Sequence, residues 1–181
     1  MLSPNHLGGH AGITHVDAGA LQWVARRFRI SSMLDIGCGP GGMRQIAERM
    51  DIEWQGIDGD PNLPPIPGRV RHDFTTGPKA PGAPEAPRKL AWSVEFLEHI
   101  DERHLPNVWS AFSLCEYALI TAAPPHTHGH HHVNCQPAEY WVRRFDSWGF
   151  AFLPADTTRM RAASTMKRDF MRRHGLLFKR I

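Results

Sequence analysis

The sequence has no long apolar run and few cysteines. None of its stretches approaches the roughly 18 consecutive apolar residues that a membrane-spanning helix needs, and its first ten residues have neither the basic start nor the apolar core of a signal peptide. The three cysteines include no C-x-x-C pair, which fits reduced thiols better than a disulfide framework. We therefore expect a cytoplasmic protein with no membrane partner. Its 181 residues are enough for one domain with its own core.

A strong net charge is also absent, but the charge is unevenly distributed. The formal net charge is +3. Eight Lys and Arg against one Asp give residues 159–181 a charge of +7, which leaves −4 for the rest of the chain. A basic segment can contact nucleic acid or a phosphorylated substrate. It can equally be a solvated helix face that balances an acidic body.

A glycine-rich stretch, MLDIGCGPGGM at residues 33–43, has the strongest pattern in the chain. Apolar residues before it predict a short buried strand and those after it a helix, so the glycines lie at a strand-to-helix turn where backbone can approach a ligand. Gly37, Gly39 and Gly42 satisfy the G-x-G-x-x-G pattern of dinucleotide sites. Asp35 argues against a dinucleotide, because a carboxylate would repel a pyrophosphate but suits a ligand with an ammonium and a sulfonium.

The string Asp-Ile-Gly-Cys-Gly-Pro-Gly closely resembles motif I of class I methyltransferases that use S-adenosylmethionine (SAM). The resemblance implies a single-domain, Rossmann-like α/β fold with a seven-stranded, mostly parallel sheet of order 3-2-1-4-5-7-6, an antiparallel last strand and helices on both faces. It also implies that this turn holds the methionine half of the cofactor, through Asp35, Gly37, Cys38, Gly39 and Gly41.

Acidic residues after the next two predicted strands complete a nucleoside site. Asp58 lies about twenty residues beyond the glycines, where an α/β nucleoside site places a carboxylate for the ribose hydroxyls. Asp60 is the rival, but Asp58 directly follows the apolar strand residue Ile57. By resemblance to the same methyltransferases, Asp73 takes the adenine amino group and Phe74 lies against the ring.

Alternating patterns predict the other elements. We expect an N-terminal arm over residues 1–15 and a methyltransferase domain over 16–181. The arm contains His6, His10 and His15, a composition that suggests folding over a site, although a mobile terminus is more common. We predict strands at 32–35, 53–60, 70–74, 90–94, 117–122, 150–153 and 176–180, helices starting at Asp17 and covering 43–50, 139–148 and 166–173, and an extended loop at 77–87.

Two segments after predicted strands four and five carry metal-binding residue types. If a helix begins near Glu95, then Glu95, Glu98 and His99 lie on one face at i, i+3 and i+4. Carboxylates and an imidazole at this spacing can hold a divalent cation. The histidine-rich loop at 126–132 offers further ligands. His131 and His132 are the best aligned, and His130 is a third choice.

The Glu-x-x-Glu-His segment with a later histidine resembles two groups of metal-dependent methyltransferases, the small-RNA 3′-terminal 2′-O-methyltransferases and the ubiquinone-pathway O-methyltransferases. The resemblance implies transfer of a methyl group to a hydroxyl, on a small molecule or an RNA end. Mg, Mn or Zn would be held by Glu95, Glu98, His99 and His131 or His132. Coordination would lower the hydroxyl pKa, and a histidine (His99, His131 or His132) would take its proton.

Small SAM-dependent methyltransferases of tailed phages and cyanobacteria also resemble the chain from end to end. The shared segments are NHLGGH at 5–10, THVD at 14–17, WSVEF at 92–96 and HHHVNCQP at 130–137. This resemblance supports the fold and the cofactor but implies no substrate.

Three alternatives stay open on the sequence alone. The first is a metal-free methyltransferase acting on nitrogen or a small metabolite, with the histidine loop as general base. The second is a module that binds SAM or nucleic acid without catalysis. The third is a nicotinamide-dependent oxidoreductase, which only the literal glycine pattern supports.

Overall fold

The computed structural model describes residues 4–79 and 86–181. Part of the predicted arm, residues 1–3, and part of the predicted extended loop, residues 80–85, lie outside the described residues. The helices are α1 Ala18–Phe28, α2 Gly42–Glu48, α3 Leu105–Phe112, α4 Ala138–Ser147, α5 Pro154–Ala163 and α6 Phe170–His174. The strands are β1 Ser32–Ile36, β2 Glu53–Asp58, β3 Arg69–Arg71, β4 Arg88–Val94, β5 Cys115–Thr121, β6 Phe150–Phe152 and β7 Leu176–Arg180.

The strands form a single seven-stranded sheet in the order β3-β2-β1-β4-β5-β7-β6. The first five strands in this order are parallel, and β7 is antiparallel to both β5 and β6. The predicted strand order and Rossmann-like fold are confirmed. Because the carboxyl ends of β1 to β5 meet at one edge, the segments that follow them converge there, at the position where open α/β sheets bind ligands.

Helix α1 shows how local sequence builds the layer beside the sheet. Asp17, fully buried, caps α1 by accepting a hydrogen bond from the Ala20 backbone N–H at 3.0 Å. Its carboxylate also accepts from the Ser164 hydroxyl and the Thr165 backbone N–H, which ties α1 to the loop before α6. Apolar side chains fill both faces of the sheet in two buried clusters, as expected for a parallel sheet. No helix in residues 4–79 or 86–181 is long and apolar enough to cross a membrane.

The predicted helix at Glu95 is wrong. Glu95 leaves β4 with a left-handed backbone, φ +51°, and only one 3-10 turn, Leu97–His99, follows before the chain extends again at Ile100. Because Glu95 is not helical and the turn has only three residues, the expected shared helical face does not exist. The predicted helix at 166–173 begins only at Phe170, and α3 and α5 had no counterpart among the predicted elements.

Candidate active site

A cavity of about 380 Å³ lies at the carboxyl ends of the strands. This volume is within the range of small-molecule and cofactor pockets. Its walls are the glycine turn, the segments after β2, β3 and β4, the histidine loop after β5, and residues of the N-terminal arm.

The glycine turn has the backbone that the sequence predicts. Gly37, Gly39 and Gly41 have φ values of +74°, +52° and +84°, in the region that side chains other than glycine rarely adopt. A Cβ on Gly37 would lie 2.3 Å from the Phe96 ring, so this glycine also permits close packing. Gly37, Cys38 and Gly39 line the cavity, whereas Gly41 lies outside its lining and caps the start of α2.

Asp35 lies in the floor of the cavity and is almost completely buried. Its carboxylate accepts a hydrogen bond from the Trp54 indole N–H at 3.1 Å. Burial raises the pKa of Asp35 to about 7, the Trp54 hydrogen bond opposes this shift, and the nearby Asp58 charge adds to it. A cation placed beside Asp35 would stabilise its ionised form.

Asp58 is the acid that reaches the cavity after β2. One of its oxygens accepts the Gly39 backbone N–H at 2.7 Å and the other accepts the Asp60 N–H at 2.9 Å. Asp60 instead pairs with the His10 ring at 3.1 Å and lies outside the cavity lining. The geometry therefore places Asp58, and not its rival, beside the glycine turn.

Asp73 and Phe74 form the wall after β3. Asp73 accepts the His6 ring N–H at 2.7 Å and two hydrogen bonds from Thr75 at 2.8 Å. Burial disfavours the Asp73 charge, but these donors outweigh burial and lower the pKa of Asp73. Phe74 is buried and meets the Phe96 ring edge to face, at 6.1 Å between centroids. A ligand at Asp73 would share this carboxylate with the arm.

The charged side chains that line the cavity are mainly acidic. Five carboxylates line the cavity, and none of its described lining residues is a lysine or arginine. The acids are Asp35, Asp58, Asp73, Glu95 and Glu98. Such a cavity attracts cations and repels anions.

The Glu98 carboxylate is buried without the hydrogen-bond donors that the other carboxylates of the lining have. It is fully buried, and neither side-chain oxygen has a hydrogen-bond partner of ordinary geometry in the described chain. Burial, and then the charge of Glu95, hold the pKa of Glu98 well above its usual value. Glu95 differs because it accepts the Thr121 hydroxyl at 2.8 Å. An unpartnered buried carboxylate of this kind indicates a missing proton or cation.

Two histidines lie near Glu98, and each has a hydrogen bond to a backbone group. His132 donates from Nδ1 to the Thr127 carbonyl at 3.0 Å, which leaves the Nε2 lone pair free. His99 has a hydrogen bond to the His130 backbone. Burial, followed by the His132 charge, lowers the pKa of His99 to about 4, so His99 is neutral at physiological pH.

Glu98, His99 and His132 offer one ligand atom each, and these atoms lie within 4.8 Å of one another. Among the described residues no other group of this kind occurs, and Glu95 and His131 do not belong to this one. His131 lies outside the cavity lining, with its ring 6.0 Å from that of His6. The sequence identified all three clustered residues but could not separate them from the other two.

The N-terminal arm supplies cavity residues that the site prediction did not include. They are His6, Leu7, Gly8, Gly9, His10, Ile13, Thr14 and His15. The clustered histidines and the segments NHLGGH and THVD marked the arm in the sequence, but neither signal assigned these residues to a site. Trp92 and Phe170 also line the cavity; Trp92 lies in the segment WSVEF, but no pattern in the sequence assigned either residue to the site.

No family model matches the chain, and no curated protein matches its sequence. Solved structures do match in fold. The plantazolicin methyltransferase BpumL, solved with S-adenosylhomocysteine (SAH), has a TM-score of 0.59 at 11% identity, over 91% of this chain and 82% of that one. The magnesium protoporphyrin IX methyltransferase of Synechocystis, solved with SAM, has a TM-score of 0.57 at 14% identity, over 90% and 76%. The methyltransferase domain of bacterial CtHen1 has a TM-score of 0.55 at 13% identity, over 91% and 97%. The shared feature is the Rossmann-like methyltransferase fold.

Proposed function

We propose that the protein is a SAM-dependent methyltransferase that transfers a methyl group to a hydroxyl acceptor with the help of a divalent metal. The fold is that of SAM-dependent methyltransferases, which supports methyl transfer as the general class. The observation that carries the proposal is the five-carboxylate lining without a described lysine or arginine.

This lining favours SAM over a nicotinamide dinucleotide. SAM brings an ammonium and a sulfonium, whereas a dinucleotide brings two phosphate charges. The buried Asp35, whose pKa is about 7, would be attracted to the positive charges of SAM and repelled by the phosphates of a dinucleotide. The methionine half of SAM would be held by Asp35, Gly37, Cys38 and Gly39. Gly41 would position the start of α2. Asp58 would bind the ribose, and Asp73 with Phe74 the adenine.

The metal would be held by Glu98, His99 and His132. The fit rests on this chain: a buried carboxylate with no partner of ordinary geometry among the described residues, and two imidazoles that each have a backbone hydrogen bond, which for His132 is made by Nδ1 and leaves Nε2 free. Two imidazoles and one carboxylate suit Zn²⁺ or Mn²⁺ better than Mg²⁺, which prefers oxygen ligands. When bound, such an ion lowers the pKa of a coordinated hydroxyl.

In the metal-free alternative, a histidine is the general base that takes the acceptor's proton. A pKa of about 4 makes His99 a weak base, since an efficient base has a pKa near the working pH. His132 keeps a free Nε2 and is the better candidate for that role. His131 would need to turn towards the cavity. The low proton affinity of His99 favours its role as a ligand.

Acceptors that carry phosphate, such as RNA ends, have one specific observation in their favour. Phe170 lines the cavity, and the exposed Lys167 and Arg168 precede it, next to the acidic Asp169. The basic segment therefore reaches one rim of the cavity. Methyl transfer to such an acceptor should weaken with rising salt more steeply than transfer to a neutral hydroxyl.

The cofactor is tested by calorimetry with SAM, SAH and NAD. We expect heat with the first two, no heat with NAD, and much weaker SAM binding by Asp35→Asn. Asp51→Asn is the matched control, because Asp51 is exposed and Asn tolerates its φ of +57°. NAD binding without SAM binding would refute the proposal.

Chemistry is tested separately with hydroxyl and amine acceptors, by following SAH formation before and after chelation. Loss on chelation and recovery with Zn²⁺ or Mn²⁺ supports the metal. Full activity after chelation would favour the metal-free alternative. SAM binding without SAH formation from any acceptor would favour a non-catalytic module.

A further inference from the structure

The described part of the N-terminal arm, residues 4–15, crosses the mouth of the cavity and contacts several of its walls. The His6 ring donates to Asp73 on the β3 side, and the Leu7 carbonyl accepts from the His130 ring on the histidine-loop side at 3.0 Å. These contacts join segments on opposite sides of the cavity. A ligand below the arm would therefore be covered by it.

A second attachment joins the arm to the segment after β2. The Gly12 backbone N–H donates to Nδ1 of His10 at 2.9 Å. The hydrogen of this ring therefore sits on Nε2, which donates to Asp60 at 3.1 Å. The contact needs no charge on His10. His6 and His10 thus act as two latches, each closed on an aspartate that follows a strand.

The backbone of the arm packs closely against the walls of the cavity at Gly8 and Gly9. A Cβ on Gly9 would be 3.0 Å from the His99 ring and 3.3 Å from the His130 ring. Gly8 has φ +80°, and its Cβ would be 3.3 Å from the Asp60 carboxylate. Gly9 therefore lets the arm pass close to His99, one of the proposed metal ligands, and Gly8 lets it pass close to Asp60.

Besides the latches and the Leu7–His130 hydrogen bond, residues 6–10 have few contacts that would hold them against the cavity. No residue from 4 to 16 is buried, and Ile13 is 59% exposed. The other end is fixed, because the Thr14 hydroxyl accepts the Gly42 N–H at the start of α2 and Asp17 caps α1. A segment with few buried apolar contacts and one fixed end opens at low cost.

We propose that residues 4–13 are a strap over the cofactor, latched by His6–Asp73 and His10–Asp60, which must open for SAM to enter and for SAH to leave. Residues 14–17 are its fixed end. The strap rests on the proposed function, because it assumes that the cavity binds SAM. It adds to that function a gate on cofactor exchange.

The test is stopped-flow binding of SAH, followed by tryptophan fluorescence because Trp92 lines the cavity. The full chain is compared with His6→Ala, His10→Ala and the double variant. His126→Asn is the control, since His126 is exposed and outside the cavity lining. Each latch variant should raise both the association and the dissociation rate, by roughly 2- to 10-fold per hydrogen bond lost. The control should match the wild type.

The two rates together separate a strap from direct contact. If the latch histidines merely touched SAH, their loss would raise dissociation and leave association unchanged. That outcome, or unchanged rates with intact SAH binding, would overturn the strap. No SAH binding by the wild type would instead refute the proposed function.

Hydrogen exchange of the peptide covering residues 4–16 gives a second readout. SAH should slow exchange of the Ala11 and Ile13 amides, whose hydrogen bonds to Gly8 and His10 form within the strap. SAH-bound wild type with unprotected amides there would also contradict the strap.

Discussion

Glu98→Gln should stabilise the metal-free protein at alkaline pH. Among the described residues, neither Glu98 side-chain oxygen has a hydrogen-bond partner of ordinary geometry, and burial, followed by the Glu95 charge, raises the pKa of Glu98 well above the usual 4.5. When folding raises the pKa of a carboxyl, the native protein binds its proton more tightly than the unfolded chain does. The free energy of unfolding is then highest below the unfolded-state pKa and falls as the pH rises above that value. The wild type should therefore lose more stability than Glu98→Gln as the pH rises from about 5 to 8, because the amide does not titrate.

The magnitude follows from the cost of an unpaired buried group, about 1–3 kcal/mol and more for a charge. At pH 8 with chelator, the free energy of unfolding of Glu98→Gln should exceed that of the wild type by at least about 1–3 kcal/mol. For a chain of this length the melting temperature should rise by roughly 2–4 °C per kcal/mol. The two proteins should converge near pH 5, and Glu139→Gln, on the exposed face of α4, should match the wild type at every pH.

With metal added, the wild type should become more stable than Glu98→Gln. At a Zn²⁺ or Mn²⁺ concentration of about 100 times Kd, binding adds about 2.7 kcal/mol to the wild type, whereas Glu98→Gln lacks the anionic ligand. Denaturant unfolding over pH, with chelator or metal, measures both effects. Identical pH profiles in chelator, or equal stabilisation by metal, would refute the reasoning about Glu98.

Three further predictions address the cofactor site and the scaffold. SAM affinity should rise as the pH passes the Asp35 pKa of about 7, since the ionised form binds the cation, and Asp35→Asn should remove this dependence in calorimetry. Gly37→Ala should abolish SAM binding, because its Cβ would lie 2.3 Å from Phe96 at φ +74°; circular dichroism would check that the variant folds. Asp17→Ala should cost about 2 kcal/mol in denaturant unfolding through the lost cap and buried hydrogen bonds, with SAM affinity unchanged.

The glycine turn was predictable because its causes are local, whereas the strand order was expected only from the resemblance to class I methyltransferases. Three positive φ values within five residues demand glycine, and a strand on one side with a helix on the other gives the turn its place in the sheet. Asp58 was separable from Asp60 for the same reason. It is the last residue of β2, so its position follows from the strand itself.

The cluster of Glu98, His99 and His132 was only partly predictable, because it depends on backbone that has no regular secondary structure. The sequence grouped Glu95, Glu98 and His99 on a helical face, but Glu95 leaves the strand at φ +51° and turns to Thr121. His131 and His132 look equivalent in the sequence. The hydrogen bond from His132 to Thr127 distinguishes them, and it exists only in the folded loop.

The contacts of the N-terminal arm were also not predictable, because they join residues that are far apart in the sequence. The His6–Asp73 and His10–Asp60 contacts join residues 67 and 50 positions apart. No pattern within residues 4–15 specifies partners at that distance. The sequence could mark the histidines as unusual, but only the sheet brings the two aspartates to the same edge.

One main-chain feature makes the Glu98 variant a clean probe of charge. The backbone N–H groups of Val133 and Asn134 both donate to the Glu98 carbonyl at 3.0 Å. The residue that offers the carboxylate therefore also anchors, through its backbone, the loop that carries His132. Glu98→Gln keeps this carbonyl and the side-chain volume, so His132 should stay in place while the negative charge disappears. A loss of metal binding in that variant is then attributable to the carboxylate itself.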